Sequence, residues 1–222
     1  MSTKIEYSLV RSDRKTWAVR ILRDGSVEVR APMRLPVWRI EALLEEKREW
    51  IETHRQEMLA RYAAVPDARQ ILFLGKEYPV LTRKTRDLAC IEEQFFAPEG
   101  WTDAEIRSAM PALYKKLAKA YIVPRTQEMA FSMGLSPERI GITSARTRWG
   151  SCSDRRNLHF SWRLMAAPPE AVEYVICHEL AHMWEMNHSS RFWARVAERM
   201  PDWRTRRQML ASVQTWLDMY FE

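Results

Sequence analysis

Long apolar runs are missing from this chain of 222 residues: no uninterrupted segment is long enough to span a membrane. The amino-terminal segment also lacks the basic stretch, apolar core and small-residue cleavage site of a secretory signal. Hydrophobic residues make up 46% of the chain and its mean hydropathy is −0.43, which is typical of a globular protein. We therefore expect a cytoplasmic protein without a membrane partner.

Cysteine is scarce, with only Cys90, Cys152 and Cys177 in the whole chain. The odd number and wide spacing exclude a disulfide framework, and the lack of a C-x-x-C pair excludes a cysteine-based zinc finger. We expect all three cysteines to behave as small buried hydrophobic residues.

The apolar pattern predicts an α+β fold that begins with a small β-sheet. Alternating apolar residues flank Asp24-Gly25, a dipeptide typical of a hairpin turn. A helical period follows from Pro36 to Tyr62, and strand-like runs return at Gln70–Arg83 and Leu88–Phe96. Residues 1–100 are therefore predicted to form a β-rich lobe with one helix against its sheet.

Residues 101–222 are predicted to form a second, mainly helical domain, unless both parts fold as one compact unit. Helical spacing covers Thr102–Met133, where Pro111 and Pro124 predict two helices or a kink. Three short strand-like segments then predict a small antiparallel sheet; they span residues 139–145, 148–152 and 157–164. After Pro168-Pro169 helical spacing continues almost to the end of the chain, with breaks near Asn187 and Pro201.

The most informative motif is H-E-x-x-H, which starts at His178. Because residues four apart share one face of a helix, the imidazoles of His178 and His182 can reach the same metal ion. Glu179 lies next to that face, where its carboxylate can hold a metal-bound water. A hydrolytic zinc site uses three protein ligands and one open position, so a third ligand is expected downstream.

His188 is the candidate for this third ligand. On an uninterrupted helix it would lie about 9 Å beyond His182, so the helix must end first. Asn187 tolerates a left-handed backbone, and Ser189 or Ser190 can cap the next helix. The local sequence thus supplies a helix end, a ligand in the turn and a new helix start in that order.

A structural role for these histidines is the competing interpretation, because paired histidines on a helix are often solvated or hydrogen-bonded in a core. Three of the five histidines, however, fall within this one short segment, directly after an apolar stretch. A glutamate at the inner end of such a helix is costly unless it is paired or bound. We therefore favour a metal site, and expect His54 and His159 to be structural.

Several motifs occur in order along nearly the whole chain: the Asp24-Gly25 hairpin, Lys47-x-x-Trp50-Ile51, Leu74-Gly75-x-x-Tyr78, Arg148-Trp149-Gly150-Ser151-Cys152, Asn157-Leu158, Trp162-Arg163-Leu164, Tyr174-Val175-Ile176 before H-E-L-A-H, Asn187-His188-Ser189, Phe192-Trp193 and Pro201-Asp202. Together they make the chain resemble the YgjP-like metal-dependent hydrolases, which are grouped with the zincin-type metallopeptidases and are distantly related to the SprT-like and WLM families. The resemblance implies a zincin-like domain in which His178, His182 and His188 hold zinc and Glu179 is the general base. Glu185 stands where the metzincin pattern has glycine, so no metzincin is predicted.

The favoured function is a zinc-dependent metallopeptidase in which Glu179 activates a zinc-bound water. One alternative is a nucleoside triphosphate (UTP) pyrophosphatase, since part of the family carries that label and the arginines near Trp149 suit a triphosphate. Another is a non-enzymatic, zinc-stabilised module that binds DNA or protein, consistent with the net charge of +6. The expected partner is accordingly a peptide, a protein or a nucleotide, with nucleic acid left open.

The segment Arg148–Cys152 is the candidate for a strand beside the metal that pairs with an extended substrate. Arg148 could stabilise an oxyanion or bind a phosphate, and Trp149 could form a platform for substrate or belong to the core. If Cys152 were to complete the ligand set, the site would be closed and structural instead.

Overall fold

The computed structural model describes residues 5–22, 24–61 and 66–221. Contacts divide the chain into two compact units, Met1–Val65 and Pro66–Glu222. The boundary predicted from the sequence lies at residue 100 instead. The difference arises because Ile71, Phe73 and Phe95 are buried in the same hydrophobic core as the long helix and the carboxyl-terminal helices.

The first unit contains a three-stranded sheet of β1 (Tyr7–Ser12), β2 (Ala18–Ile21) and β3 (Val27–Pro32), in the order β1-β3-β2. The predicted hairpin is confirmed, because β2 and β3 are antiparallel neighbours. Gly25 in the connecting turn has a φ of 77°, a conformation that glycine adopts at little cost.

Two helices accompany this sheet, α1 (Val37–Glu46) and α2 (Arg48–Arg61). The prediction of a single helix from Pro36 is therefore wrong in one respect. The helical segment is interrupted at Lys47, whose φ of −100° and ψ of 13° depart from helical values. Tyr62, the predicted end, lies outside the described residues. Apolar residues of β3, α1 and α2 form the core of this unit: Val27, Val29, Ala31, Ile40, Leu44 and Ile51.

The second unit begins with a four-stranded sheet in the order β4-β5-β7-β6. Its strands are β4 (Gln70–Phe73), β5 (Lys76–Thr82), β6 (Ala89–Ile91) and β7 (Gln94–Ala97). The turn between β4 and β5 contains Gly75, with a φ of 78°. A Cβ atom there would lie 2.8 Å from Pro168 Cγ, so this turn packs tightly against the segment that leads into the functional helix.

A single helix, α3 (Asp103–Ser132), follows the sheet. Thr102 and Glu105 cap its start through a reciprocal capping box. Pro111 and Pro124 both lie inside the helix, so the prediction of two separate helices is wrong. Buried residues line α3 over its whole length, and this packing outweighs the hydrogen bonds that the prolines cannot donate: Ile106, Met110, Leu113, Tyr114, Ala118, Ile122, Thr126 and Ala130.

The next three strands, β8 (Arg139–Thr143), β9 (Gly150–Cys152) and β10 (Asn157–Ser161), form a sheet in the order β8-β10-β9. The predicted antiparallel arrangement holds for β9 and β10, but β8 and β10 are parallel. The chain does reverse direction at each strand. Because β10 inserts between the first two strands, it lies beside β8 in the same direction, and β9 remains at the edge of the sheet.

From Pro169 onwards the chain is mainly helical, as the sequence predicted, in α4 (Pro169–Ala181), α5 (Ser190–Arg199) and α6 (Trp203–Tyr220). The predicted strand segment 157–164 is too long, because Trp162–Ala166 form a short 3-10 helix. Six α-helices and three small sheets within the described residues confirm the α+β class. None of the helices in this described part is both long and apolar enough to cross a membrane.

Candidate metal centre

Helix α4 carries the first two candidate residues into the interior. Pro169 occupies its first turn, where the missing N–H has no helical partner to lose. Nearly every side chain of the helix is buried, among them Val172, Ile176 and Leu180, so the helix is anchored on several sides. His178 and Glu179 lie in its last turn, and His182 follows as the C-cap residue with αR backbone angles.

A short turn after α4 brings the chain back towards His178 and His182. The amide N–H groups of Met183 and Trp184 donate to the carbonyls of Leu180 and Ala181, so the backbone curls tightly after the helix. Ser189 caps α5 and accepts a hydrogen bond from the Phe192 amide at 3.3 Å, as predicted. His188 immediately precedes this cap, and the turn therefore aims it back towards α4.

Two details of this turn differ from the sequence expectations. Positive φ values among the described non-glycine residues occur at Leu74, Glu92, Glu93 and Arg156. Asn187 therefore does not use the left-handed conformation that it tolerates. Glu185 also has an ordinary backbone, so the turn does not need the glycine of the metzincin pattern at this position.

The turn brings the three predicted histidines into one cluster. One ring nitrogen from each of His178, His182 and His188 lies within 4.8 Å of the other two. His178 Nε2 and His188 Nε2 are 3.1 Å apart, close to the roughly 3.3 Å that separates two nitrogens around a tetrahedral zinc ion with ordinary Zn–N bonds. Two of the ring pairs, His178–His182 and His182–His188, are nearly perpendicular. Within the described residues, no cysteine or carboxylate belongs to this cluster.

The outer nitrogens of two of these rings face polar partners. His182 Nδ1 lies 3.1 Å from the backbone carbonyl of Glu185, which favours the tautomer that leaves Nε2 free to bind a metal. His178 Nδ1 faces the hydroxyl of Tyr174 at 3.5 Å. Such outer contacts fix the orientation of metal-binding imidazoles.

Burial keeps two of the imidazoles neutral. It lowers the pKa of His178 to about 3, with further lowering by His182, His188 and Arg207. Burial also lowers the pKa of His182, although its contact with the Glu185 carbonyl opposes the change. Neutral imidazole is the form that binds metal ions, so the donor set fits a divalent cation such as zinc.

Glu179 is buried beside the cluster, with 6% of its surface exposed. Burial raises the pKa of its carboxyl group to about 7, and the positive charge of Arg148 opposes this rise. Its side chain lies against the backbone of β9, because a Cβ atom at Gly150 would be only 2.7 Å from Glu179 Oε1. A carboxyl group with a pKa near neutrality can take up and release a proton under physiological conditions.

A cleft of about 690 Å³ opens above these residues. Its lining comes from the start of β9 and the residues before it, from α4, from α5 and the turn before it, and from one face of α6: Thr147, Arg148, Trp149, Gly150, Tyr174, Val175, His178, Glu179, His188, Trp193, Arg207, Leu210, Ala211 and Gln214. The cleft thus brings Arg148 and Trp149, the predicted substrate contacts, to the same opening as His178 and His188. Trp149 also packs against the hydrophobic core.

Sequence reasoning missed the contribution of α6 to this cleft. Arg207, Leu210, Ala211 and Gln214 recur at helical spacing, so they lie on one face of the helix. That periodicity was visible in the sequence. The sequence of α6 alone, however, does not show that this face lies towards β9 and α4, which are distant in the sequence.

The remaining candidates lie away from the cluster. The thiol of Cys152 has a pKa raised to about 11, by burial first and then by Glu179 and Asp154, and its sulfur faces the carbonyl of Ser153 at 3.5 Å. His54 contacts the carbonyl of Trp50, and His159 packs against Gly141 on the neighbouring strand. Neither histidine lines the cleft, in agreement with the structural roles predicted for both.

Comparison with known proteins adds one finding. The family model described as YgjP-like, metallopeptidase domain, matches residues 15–213, which include the three histidines and every residue of the cleft lining except Gln214. This match confirms the family resemblance drawn from the sequence motifs. No curated protein and no solved structure matches the chain.

Proposed function

The chain belongs to the YgjP-like family of metallopeptidase domains, and on that premise we propose that it is a zinc-dependent peptidase. Family membership supports a metal-dependent hydrolase. The observation that carries the more specific proposal is the convergence of three imidazole nitrogens within 4.8 Å, next to a buried carboxyl group in an open cleft. His178, His182 and His188 would hold the ion, and an all-imidazole donor set suits zinc.

A metal ion held by the three histidines would supply Lewis acidity, for activating water and for polarising the carbonyl group under attack. Glu179 acts as the general base, accepting the proton of the attacking water on a carboxylate oxygen. It then delivers that proton to the nitrogen of the departing amine. Burial raises the pKa of Glu179 in the metal-free fold, whereas a nearby divalent cation would favour the carboxylate form that a general base needs.

A peptide is favoured as substrate by the position of β9. This strand lies at the edge of its sheet, since β10 is its only neighbour among the described strands. Gly150 at the start of β9 and the two preceding residues line the cleft beside Glu179. An exposed strand edge can pair with an extended peptide through main-chain hydrogen bonds, which would align a scissile bond with the metal.

Nucleoside triphosphate hydrolysis is the second candidate, because two arginines, Arg148 and Arg207, line the same cleft. A purely structural zinc module has less support. Such sites are closed by four protein ligands, whereas the described part of the chain offers three histidines and leaves Cys152 outside the cluster.

The proposal is tested by assaying zinc-loaded protein against a panel of unfolded protein substrates and, in parallel, against the common nucleoside triphosphates. We expect peptide-bond cleavage that disappears with a chelator and returns with zinc. Release of pyrophosphate without proteolysis would select the second candidate. Full activity of chelated, zinc-free protein would contradict both.

A further inference from the structure

The fixed charge of the cleft is almost entirely positive. Its lining contains two arginines, Arg148 and Arg207, and a single acidic residue, Glu179. Glu179 is buried at the base of the cleft, whereas both arginines are exposed. A bound divalent metal would add further positive charge at the base of the cleft.

Neither arginine is engaged elsewhere in the described part of the chain. Arg148 and Arg207 are both exposed, and neither has an ion-pair or hydrogen-bond partner among the described residues. The neighbouring Arg206 differs, because it pairs with Glu173 and with Asp202, each at 3.0 Å. The cleft therefore retains two free guanidinium groups on a protein whose other arginines often have partners.

The two guanidinium groups reach the reaction centre from separate elements. Arg148 precedes β9 and acts electrostatically on Glu179, while Arg207 projects from α6 and acts on His178 and Tyr174. A substrate that lies across the histidine cluster would consequently meet a positive charge from each element. Guanidinium groups bind carboxylates through two parallel hydrogen bonds, which gives them directional selectivity as well as attraction.

We propose that Arg148 and Arg207 select substrates with a carboxylate close to the scissile bond, so that the cleft takes acidic peptides. This inference rests on the proposed peptidase function and specifies its substrate class. A carboxylate on a peptide is favoured over a phosphate because Arg148 lies two residues before the edge strand β9. An extended chain paired with this strand would place its side chains near the guanidinium group.

The test measures binding rather than turnover. Zinc-loaded Glu179→Gln protein is titrated into two fluorescein-labelled octapeptide mixtures that are identical except for glutamate or glutamine at the central positions, and binding is followed by fluorescence anisotropy. We expect the glutamate mixture to bind about fivefold more tightly, the effect of roughly 1 kcal/mol for partly screened ion pairs. The preference should shrink with added salt.

Matched variants test whether Arg148 and Arg207 cause the preference for glutamate. Adding Arg148→Gln and Arg207→Gln should abolish the preference, whereas Arg204→Gln should preserve it, because Arg204 is on the same helix but stacks on Trp203 outside the cleft lining. Circular dichroism verifies that each variant is folded. Equal affinity for the two mixtures, no measurable binding of either, or a preference that survives both cleft substitutions would overturn the inference.

Two further outcomes separate this inference from the function on which it rests. Pyrophosphate that binds through the same arginines, while the glutamate mixture binds no better than the glutamine mixture, would overturn the acidic-peptide assignment in favour of a phosphate. Wild-type protein that cleaves no peptide but keeps the glutamate preference would contradict the peptidase function, while supporting selection of carboxylates by the two arginines.

Discussion

Gly150 and Glu179 are in direct contact: a Cβ atom at position 150 would lie 2.6 Å from Glu179 Cγ and 2.9 Å from Cδ. Real Cβ atoms do not approach other atoms so closely, so any larger residue would displace the glutamate or the strand. The absence of a side chain at Gly150 therefore leaves room for the buried side chain of Glu179 against β9. This contact links the strand proposed for substrate binding to the proposed general base.

Substituting Gly150→Ala is expected to reduce turnover by about 10²-fold with little change in metal content, since a displaced general base costs rate rather than zinc. The stability of the metal-free protein should fall by about 1–3 kcal/mol through overpacking. Urea unfolding measures the stability, zinc analysis measures the metal content, and a peptide hydrolysis assay measures the turnover. In a Glu179→Ala background the same glycine substitution should cost much less stability, and an equal cost in the two backgrounds would exclude the contact as the cause.

The buried carboxyl group of Glu179 is also expected to make the stability of the metal-free protein depend on pH. Burial raises the pKa of the Glu179 carboxyl group to about 7 in the folded state. As the pH rises above 4.5, the unfolded chain releases the carboxyl proton, whereas the folded protein keeps it until about pH 7. The contribution of Glu179 to stability is therefore lost progressively from about pH 4.5 to pH 7. Glu179→Gln should become more stable relative to wild type across this range, by up to about 3 kcal/mol.

This effect is measured by urea unfolding of both proteins in chelator at pH 5 and pH 8. Comparing the two proteins at each pH cancels the contributions of the histidines, which are present in both. A stability difference between variant and wild type that does not change with pH would show that the carboxyl group ionises normally in the fold.

Glu185 is expected to assist metal binding through its backbone alone. Its carbonyl faces His182 Nδ1, whereas its carboxylate pairs with Arg191 at 3.1 Å. Glu185→Ala keeps the carbonyl and removes an exposed ion pair of small energetic value, so zinc affinity should change by no more than about twofold. Competition with a chelating dye measures the affinity. A loss of tenfold or more would assign a direct role to the carboxylate.

Cys152 is expected to be dispensable for the metal. Its thiol has a raised pKa and lies outside the histidine cluster, so Cys152→Ala is expected to bind as much zinc as the wild type, about one equivalent for the proposed site. His188→Ala serves as the matched loss-of-ligand control and should retain much less zinc. Loss of zinc from the cysteine variant would favour a closed, four-ligand site.

The histidine cluster could be anticipated from the sequence because its geometry is local. The spacing of His178 and His182 on a helix, the need for a helix end and the serine that caps α5 all lie within one short segment. Even there, the backbone of Asn187 differed from expectation, since hydrogen bonds after α4 form the turn without a left-handed residue.

Features that depend on distant contacts could not be anticipated in the same way. Pro111 and Pro124 were predicted to divide or kink the helical segment, but burial along α3 keeps it one continuous helix. β10 lies between β8 and β9 in the sheet. Alternating apolar residues predict a strand but not which strands pair with it. Arg207 reaches the cleft only because α6 packs against α4, so its role is visible in the fold and not in the motif.

The central claim is that a metal held by three histidines works together with Glu179 in hydrolysis. It is tested most directly by measuring zinc content and peptide hydrolysis on the same samples of wild-type and Glu179→Gln protein. The account predicts equal zinc content and a rate lower by about 10²- to 10⁴-fold in the variant. An unchanged rate in the zinc-loaded variant would contradict the role of Glu179, and wild-type protein that binds no zinc would contradict the metal site itself.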